Sequence, residues 1–193
     1  MDFPIETNTG TGERLRMLGI QRDDAGEYLE VEGVVEPNAG PPMHVHFFQE
    51  ERIHVTKGRF GYQVLGEEPR FAGPGEEIVF PAGQVHRFWG AGEGTSTGRG
   101  LVRPVGNFPW FITRLHASIR ENGGRPGFFD GAFLTHHFRT EFDMVEIPGF
   151  VKRVVFPLVV VLGRVLGRYR KYADAPEPMR GPTATGTRTR AIR

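Results

Sequence analysis

The sequence has 193 residues, of which 38% are apolar, and it carries 24 Lys/Arg against 23 Asp/Glu. A chain of this length and composition can bury one sizeable core, as soluble globular proteins do. It contains no cysteine, which excludes disulfides, thiol catalysis and zinc–thiolate sites. Residues 1–15 lack the basic start and the apolar run of a signal peptide, so we expect a cytoplasmic protein.

The net charge of +1 conceals an asymmetry between two parts of the chain. Residues 1–146 contain 14 Lys/Arg and 21 Asp/Glu, a net charge of −7. Residues 147–193 contain 10 Lys/Arg and 2 Asp/Glu, a net charge of +8. We interpret the chain as a mildly acidic body with a basic C-terminal end.

Residues 1–105 have the pattern of an all-β domain. From residue 13 onward, short runs rich in Val, Ile, Phe and Tyr alternate with turns rich in Gly, Pro, Asp and Asn. Short strands at nearly even spacing predict a sandwich or barrel rather than alternating strand–helix units.

Residues 40–58, GPPMHVHFFQEERIHVTKG, place two histidines and a glutamate within eight positions. His44 and His46 are two residues apart, so on an extended strand both side chains leave the same face. Glu51 lies at an odd spacing from His46, and a bend at residues 47–50 would bring all three side chains to one face.

The neighbouring Glu50 is a rival for the same role. Glu51 shares its face with Ile53 and Val55, whereas Glu50 alternates to the other side. This alternation favours Glu51 as the inward carboxylate.

A second polar segment, GEEIVFPAGQVHRFWG, covers residues 75–90. Pro81 and Gly83 predict a tight turn, after which His86 opens the next strand. Three imidazoles and one carboxylate suit a borderline divalent ion and leave one or two coordination positions open. The histidines must be neutral to bind, so metal affinity should fall as the pH drops through about 6.5.

The two segments together resemble the two motifs of the cupin superfamily, in the form of a small bacterial single-domain cupin. The residues that match the first motif are Gly40, His44, His46, Glu51 and Gly58. Those that match the second motif are Gly75, Pro81, Gly83 and His86. The gap between the motifs, residues 59–74, is as short as in small bacterial cupins, and the resemblance covers about residues 28–104.

Two positions depart from the cupin pattern, and both lie in predicted turns. The opening glycine stands four residues before His44 rather than six, and Gly90 occupies a position where the family often has Asn. Neither departure removes a ligand.

The resemblance implies a mainly β fold, a single cupin double-stranded β-helix or jelly-roll barrel, followed here by C-terminal α-helices. It implies that one divalent metal ion (Fe, Mn, Ni, Co or Zn) is bound in the barrel mouth by His44, His46, Glu51 and His86. Tyr62 and Phe88 lie on faces that predict barrel core, and we expect them also to wall the pocket. The alternative is a polar barrel mouth that holds no metal.

The remaining histidines are not predicted to bind the ion. His54 alternates with Ile53 and Val55 and should lie on the outer face. His116 falls in a predicted helix and should be a surface residue. His136 and His137 are adjacent on a predicted helix, where side chains diverge by about 100° and cannot easily share one ion.

Residues 106–172 are predicted to form a helical extension of three helices. The first covers PWFITRLHASIRENGG and ends at Gly123–Gly124, and the second lies around GFFDGAFLTHHFR. The third begins near Pro148, runs to Tyr172 and is kinked or interrupted at Pro157. Residues 173–193 are rich in Pro, Gly, Thr and Arg and should form a disordered basic tail.

The third helix contains VVFPLVVVLG, an apolar run too short for a membrane span, which needs about 20 residues. A basic stripe lies opposite its apolar face, formed by Arg153, Arg164, Arg168 and Lys171. We favour a helix that covers the barrel exterior or a partner subunit, with an anionic membrane surface as the alternative. We expect a homodimer and no nucleic-acid partner.

These features predict a metal-dependent enzyme of the oxygenase, isomerase or lyase type that acts on a small organic molecule. Fe(II) with open positions permits oxidoreductase chemistry, whereas Mn, Ni, Co or Zn suits isomerisation or lyase steps. The sequence indicates no general base. The alternative is a non-catalytic cupin that binds or senses a metal or metabolite, tethered to a membrane surface by its basic helix.

Overall fold

A computed structural model describes residues 2–180 and shows a mainly β protein with helices in its C-terminal part. Within those residues the chain forms eleven strands, with the bounds that follow. They are β1 (Ile5–Asn8), β2 (Glu13–Asp23), β3 (Gly26–Val35), β4 (His44–His46), β5 (Glu50–Lys57), β6 (Phe60–Val64), β7 (Arg70–Ala72), β8 (Glu77–Phe80), β9 (His86–Gly90), β10 (Ser96–Arg103) and β11 (Phe142–Met144).

The strands build two antiparallel sheets that face each other. The six-stranded sheet has the order β1-β2-β3-β10-β5-β8, and the five-stranded sheet has the order β11-β4-β9-β6-β7. From β3 to β6, and again from β7 to β11, each strand lies in the other sheet from the strand before it. This double-stranded barrel with C-terminal helices confirms the predicted fold class.

Alternation along β2 shows why these residues form a half-buried strand. Leu15 and Met17 turn towards the interior, while Arg14 and Arg16, which alternate with them, are exposed. Side chains of successive strand residues point to opposite faces, so apolar and charged residues separate without a change in backbone conformation. Glu13 stands on the same inward face as Leu15 and Met17.

Gly40 is required by a close approach between two chain segments. Its φ is +148°, and a Cβ atom placed there would lie 2.2 Å from the carbonyl oxygen of Phe88. Only glycine avoids this clash. The motif glycine therefore lets the segment before β4 pass directly against β9.

Two large apolar clusters form most of the core, and a small third one, Ala132, Phe156 and Val159, lies between helices of the C-terminal part. The first fills the space between the sheets and comprises Val35, Ile53, Val55, Phe60, Ala72, Ile78 and Phe80. The second joins the six-stranded sheet to the helices and comprises Met17, Leu29, Val102, Phe108, Trp110, Phe133, Leu134, Phe138, Phe142, Val160, Tyr169 and Tyr172. Barrel and helices therefore bury apolar surface against each other.

The first two helices agree with the sequence patterns. Helix α1 covers Phe108–Glu121 and helix α2 covers Phe128–His137. The amide of Gly124 donates to the carbonyl of Ile119 at 2.9 Å, and Gly123 has a φ of +70°. This is the hydrogen-bond pattern of a glycine-terminated helix, and the predicted end of the first helix is confirmed.

The third helical segment changes its winding before Pro157. Residues Val151–Val155 form a π-helical turn, and helix α3 continues from Phe156 to Val165. Proline has no N–H to donate to the preceding turn, and such positions are typical sites of widened or kinked helix. A short 3₁₀ turn follows at Arg170–Tyr172.

The predicted disordered tail lies mostly outside the described residues. Residues 173–180 are described, and they run back along the molecule. The amide of Met179 donates to Glu141 at 2.7 Å, Asn107 donates to the carbonyl of Glu177 at 2.8 Å, and Trp110 donates to Asp174 at 3.2 Å. The structure does not describe residues 181–193.

The structure also places a strand where the sequence predicts only helices. Strand β11 pairs with β4, so that Phe142 lies opposite His46 and Met144 opposite His44. The segment of residues 106–172 thus completes the sheet that carries two of the predicted metal ligands.

Candidate metal centre

The four predicted ligands meet at one point between the two sheets. His44 and His46 lie on β4, His86 on β9 and Glu51 on β5 of the opposite sheet. One donor atom from each residue lies within 4.8 Å of the corresponding atom in every other residue. Donor atoms this close can contact a single ion together.

Strand pairing and a turn produce this convergence. His44 pairs directly with His86 across β4 and β9. Residues 47–49 leave the strand, as predicted, and carry the chain to the other sheet, where β5 begins at Glu50. The amide of Gly83, in the turn before His86, donates to the carbonyl of His46 at 2.7 Å.

Backbone carbonyl groups fix the orientation of two of the imidazoles. The Nδ1 atom of His44 lies 2.8 Å from the carbonyl oxygen of Pro42, and the Nδ1 atom of His86 lies 2.8 Å from that of Gln84. A carbonyl oxygen only accepts, so Nδ1 carries the hydrogen in both rings. In the neutral ring Nε2 then keeps its lone pair, which is the arrangement of a histidine that ligates a metal.

His46 is buried, and the protein leaves one of its nitrogens unsatisfied. Its ring packs against Phe108 and Phe142, with centroids 5.7 Å and 5.3 Å apart. Its Nδ1 atom has no hydrogen-bond partner within residues 2–180. A buried polar atom without a partner is energetically unfavourable and calls for a ligand or a solvent molecule. Together with the donor set, this observation fits a bound cation.

Burial sets the protonation state of the β4 histidines. It lowers the pKa of His44 to about 4 and that of His46 to about 3, and the neighbouring histidines lower both values further. At neutral pH both rings are therefore neutral, as metal ligation requires. The expectation that these rings take up protons near pH 6.5 is wrong, because it used values for exposed histidine.

The Glu51 carboxylate stays ionised despite its burial. Burial opposes ionisation, but the hydrogen bond with His86 and the charges of the surrounding imidazoles outweigh it and lower the pKa of Glu51 to about 2. Its Oε2 atom lies 3.2 Å from Nε2 of His86. The site therefore offers one anionic oxygen beside three imidazoles.

Residues 31–97, from within β3 to the start of β10, match a family model described as "Cupin domain". The chain contains a cupin domain. All four converging residues fall inside the matched range.

Known proteins resemble parts of this chain. A probable oxidoreductase, virH of Hypocrea virens, is 37% identical over 51 residues, which covers 26% of this chain and 23% of the relative. The match thus spans about a quarter of that relative's length.

Two solved structures are also similar in part. A cupin-superfamily sugar phosphate isomerase from Silicibacter pomeroyi is 22% identical, with 49% of this chain and 60% of that chain covered and a TM-score of 0.42. KdgF from Halomonas sp. is 17% identical, with 51% and 86% covered and a TM-score of 0.43.

Aromatic side chains of the cupin domain support the site from within the barrel. Phe80 stacks on His86, with ring centroids 3.9 Å apart and planes 10° from parallel. Tyr62, a predicted pocket wall, packs edge-on against Phe80 at 6.2 Å. Phe88, the other predicted wall, lies 6.2 Å from Phe60 in the barrel core. Of these aromatic residues, Phe80 is the one that stacks directly on a predicted ligand, a role that its sequence position did not indicate.

The residues that the sequence analysis excluded as ligands lie outside the candidate metal site. His54 is exposed, as predicted. Glu50 forms an ion pair with Arg52 at 2.6 Å, which occupies the carboxylate that rivalled Glu51. His137 lies 2.9 Å from the carbonyl oxygen of Pro176 and stacks on Phe133.

A second polar pair lies in the interior, outside the matched cupin range. The side chain of Glu13, on β2, is 17% exposed, and that of His116, on α1, is 2% exposed. Their Oε1 and Nε2 atoms are 3.9 Å apart, too far for a hydrogen bond. His116 was predicted to be a surface residue, and this prediction is wrong because α1 turns it towards the sheet.

Burial changes the titration of both members of this pair. It raises the pKa of Glu13 to about 7, and the negative charge of Glu51 adds to the rise. It lowers the pKa of His116 to about 4, with a smaller contribution from Arg120. Because Glu51 influences Glu13, the carboxyl of Glu13 belongs to the electrostatic environment of the metal centre. The alternation along β2 was the sequence signal that could have revealed Glu13.

Proposed function

We propose that the protein binds one divalent metal ion through His44, His46, Glu51 and His86 and acts as a metal-dependent enzyme on a small organic molecule. The observation that carries this proposal is the convergence of four donor atoms, from three strands of two sheets, within 4.8 Å. The lowered pKa values of His44 and His46 and the orphaned nitrogen of His46 support it.

The donor set suits a borderline divalent ion. Three imidazoles and one carboxylate are ligands for Fe, Mn, Ni, Co or Zn, and they leave one or two positions open for a substrate. When bound, such an ion supplies Lewis acidity and, if redox-active, a centre for electron transfer. The chain itself contributes the fixed imidazole orientations and the single negative charge of Glu51.

Glu13 is the residue that we propose for proton transfer. Its pKa of about 7 keeps both protonation states populated at neutral pH, which suits a general acid or base. Titratable groups with shifted pKa values concentrate at functional sites. His116, whose Nε2 atom is 3.9 Å from Oε1 of Glu13, is neutral at this pH and adds no positive charge that would lower the carboxyl pKa.

The reaction class that we favour is that of an oxidoreductase. The similarity to a probable oxidoreductase over residues that span about a quarter of its length supports this choice. Isomerase and lyase chemistry use the same kind of centre and stay open as alternatives.

The test is anaerobic purification followed by elemental analysis and a search for co-purified small molecules. We expect about one equivalent of a first-row divalent metal, as one site requires, and oxygen consumption in the presence of a substrate. The variant His46→Ala should lose the metal and the activity together. The matched control is His54→Ala, which removes an exposed histidine of the neighbouring strand and should change neither.

Two outcomes would decide against this proposal. A His46→Ala variant that keeps a full equivalent of metal contradicts the ligand set. A protein that holds the metal stoichiometrically but turns over none of the co-purified compounds supports the alternative, a non-catalytic metal- or metabolite-binding cupin.

A further inference from the structure

The C-terminal helical segment has an apolar face that packs inward and a second one that faces solvent. Phe156, Val159 and Val160 of α3 are buried, and Phe156 and Val159 pack with Ala132 of α2. The opposite side carries large apolar side chains whose exposed fractions range from 43% for Val154 to 79% for Val165. We call this set the outer face: Phe150, Val154, Leu158, Val161, Leu162, Val165 and Leu166.

The outer face is one continuous stripe. Its members recur at intervals of three or four residues from 150 to 166, which is the period of one side of a helix. Single exposed apolar residues are normal on protein surfaces, but contiguous exposed apolar patches mark interaction sites. The expectation that this helix completes a core therefore holds for its inner side only.

The segment around the outer face is basic throughout. Residues 147–172 contain six Lys/Arg and no Asp/Glu. Lys152 and Lys171 pair with Asp143 and Asp130 of neighbouring elements. Arg153, Arg164 and Arg168 are exposed and form no ion pair within the described part of the chain. Residues 181–193 of the sequence add three more arginines and no acidic residue.

This charge pattern distinguishes between two occupants of the outer face. In a symmetric dimer the same patch meets itself, so the cations of both copies would approach each other with no carboxylate in the segment to pair with them. An anionic bilayer can accommodate both the apolar side chains and the positive charges. The apolar side chains enter the acyl boundary, and the arginines contact the anionic headgroups.

The dimensions of the helix are those of a surface-bound segment. Helix α3 has 10 residues, and within residues 2–180 no helix is long and apolar enough to cross a membrane. A short helix that presents an apolar stripe together with exposed arginines to the solvent is suited to lie in the plane of the interface. We propose that the outer face docks this protein on the surface of an anionic lipid bilayer, with the cupin domain held in the water phase.

The test uses the full-length protein and vesicles of phosphatidylcholine, alone or mixed with phosphatidylglycerol. We expect co-sedimentation with the mixed vesicles at low salt, binding at least about tenfold weaker to phosphatidylcholine alone, and release as the salt concentration rises. This experiment does not depend on the metal or on catalysis, so its failure leaves the proposed enzyme function untouched.

Matched variants assign the binding to the outer face. Leu162→Glu should weaken binding to the mixed vesicles at least about tenfold, because it places a charge in the apolar stripe. Ile20→Glu is the control, since Ile20 on β2 is 50% exposed and Leu162 is 51% exposed. Replacing Arg164 and Arg168 by Ala should weaken binding about fivefold per arginine, whereas Arg22→Ala on the barrel should have no effect.

Three results would overturn the proposal. They are an absence of co-sedimentation at low salt, equal binding to neutral and anionic vesicles, and equal losses in Leu162→Glu and Ile20→Glu. Sedimentation velocity without lipid provides a further check. A dimer that Leu162→Glu converts to a monomer would assign the outer face to a second copy of the chain instead.

Discussion

The Nε2 atom of His86 lies 3.2 Å from Oε2 of Glu51, although the two residues belong to opposite sheets. Nδ1 of the same ring donates to the carbonyl of Gln84 at 2.8 Å. The ring of His86 is thus held from both sides, by a backbone carbonyl and by the carboxylate of the opposite sheet. This contact joins two of the four residues whose donor atoms converge.

The carboxylate of Glu51 should be required for tight metal binding. We expect Glu51→Gln to bind a divalent metal at least about tenfold more weakly, because the amide removes the one negative charge of the donor set. Calorimetric titration of the metal-free protein measures the affinity, and His54→Ala, which removes an exposed histidine of the same strand, is the control. Equal affinities in Glu51→Gln and the unsubstituted protein would contradict the ligand set.

Acid should displace the metal less steeply than exposed histidines would suggest. Three histidines titrating near pH 6.5 would reduce the affinity about a thousandfold per pH unit below that value. Because burial holds the pKa of His44 near 4 and that of His46 near 3, we expect these two rings to add nothing to the loss of affinity between about pH 6 and about pH 5. Competition with a chelator of known pH dependence checks this slope, and a thousandfold loss would show that the rings are accessible to protons.

The same shifts have a second consequence for the metal-free protein. Below about pH 6.5 an unfolded chain binds protons on these histidines, whereas the folded chain does not until the pH nears 4 or 3. The unfolded state then holds more protons, so the free energy of unfolding should fall as the pH falls through this range. Denaturant titrations of the metal-free protein between about pH 7 and about pH 5 measure the slope.

Glu13 should act on stability in the opposite direction. Its pKa rises from 4.5 to about 7 on folding, so between these values the folded state keeps a proton that the unfolded state has lost. The free energy of unfolding therefore decreases as the pH rises from about 4.5 to about 7 and then levels off. We expect Glu13→Gln to raise the free energy of unfolding by about 2–3 kcal/mol at pH 8, and by much less near pH 4.5.

The control for this variant is Glu27→Gln on the same hairpin. Glu27 is exposed and pairs with Arg22 at the surface, so its replacement should change the free energy of unfolding by less than about 0.5 kcal/mol at either pH. Equal effects of the two substitutions at pH 8 would show that Glu13 carries no burial penalty.

Phe80 should be important for both stability and metal affinity. It is fully buried in the barrel core and stacks on His86, so Phe80→Ala should lower the free energy of unfolding by about 3–5 kcal/mol and loosen the imidazole. Phe71→Ala provides the comparison. Phe71, on β7, is 47% exposed, so its replacement should lower the free energy of unfolding by far less. Chemical denaturation gives the first quantity, and chelator competition on the folded variant gives the second.

The sequence predicted what depends on short-range spacing. His44, His46, Glu51 and His86 stand in two compact motifs, and strand periodicity alone turns His44 and His46 towards one face. The glycine end of α1 and the break at Pro157 are also local, because each depends on one backbone property. These features agree with the structure.

Features that depend on distant partners could not be predicted in this way. Glu13 and His116 become a buried pair only because α1 packs on the first hairpin, and neither residue has a local pattern that identifies the other. Strand β11 is three residues long, too short to show alternation, and it is a strand only because β4 is beside it. Which side of α3 stays exposed likewise depends on where α2 lies.

Strand β11 also decides how far this chain can be shortened. It flanks β4 on one side while β9 flanks it on the other, and the ion pair of Asp143 with Lys152 ties β11 to the turn before α3. A truncation after Arg103 would keep every proposed metal ligand and yet leave the backbone of His44 and His46 as an open sheet edge, free to pair with other chains. The minimal unit that keeps this centre intact is therefore longer than the barrel that carries its ligands.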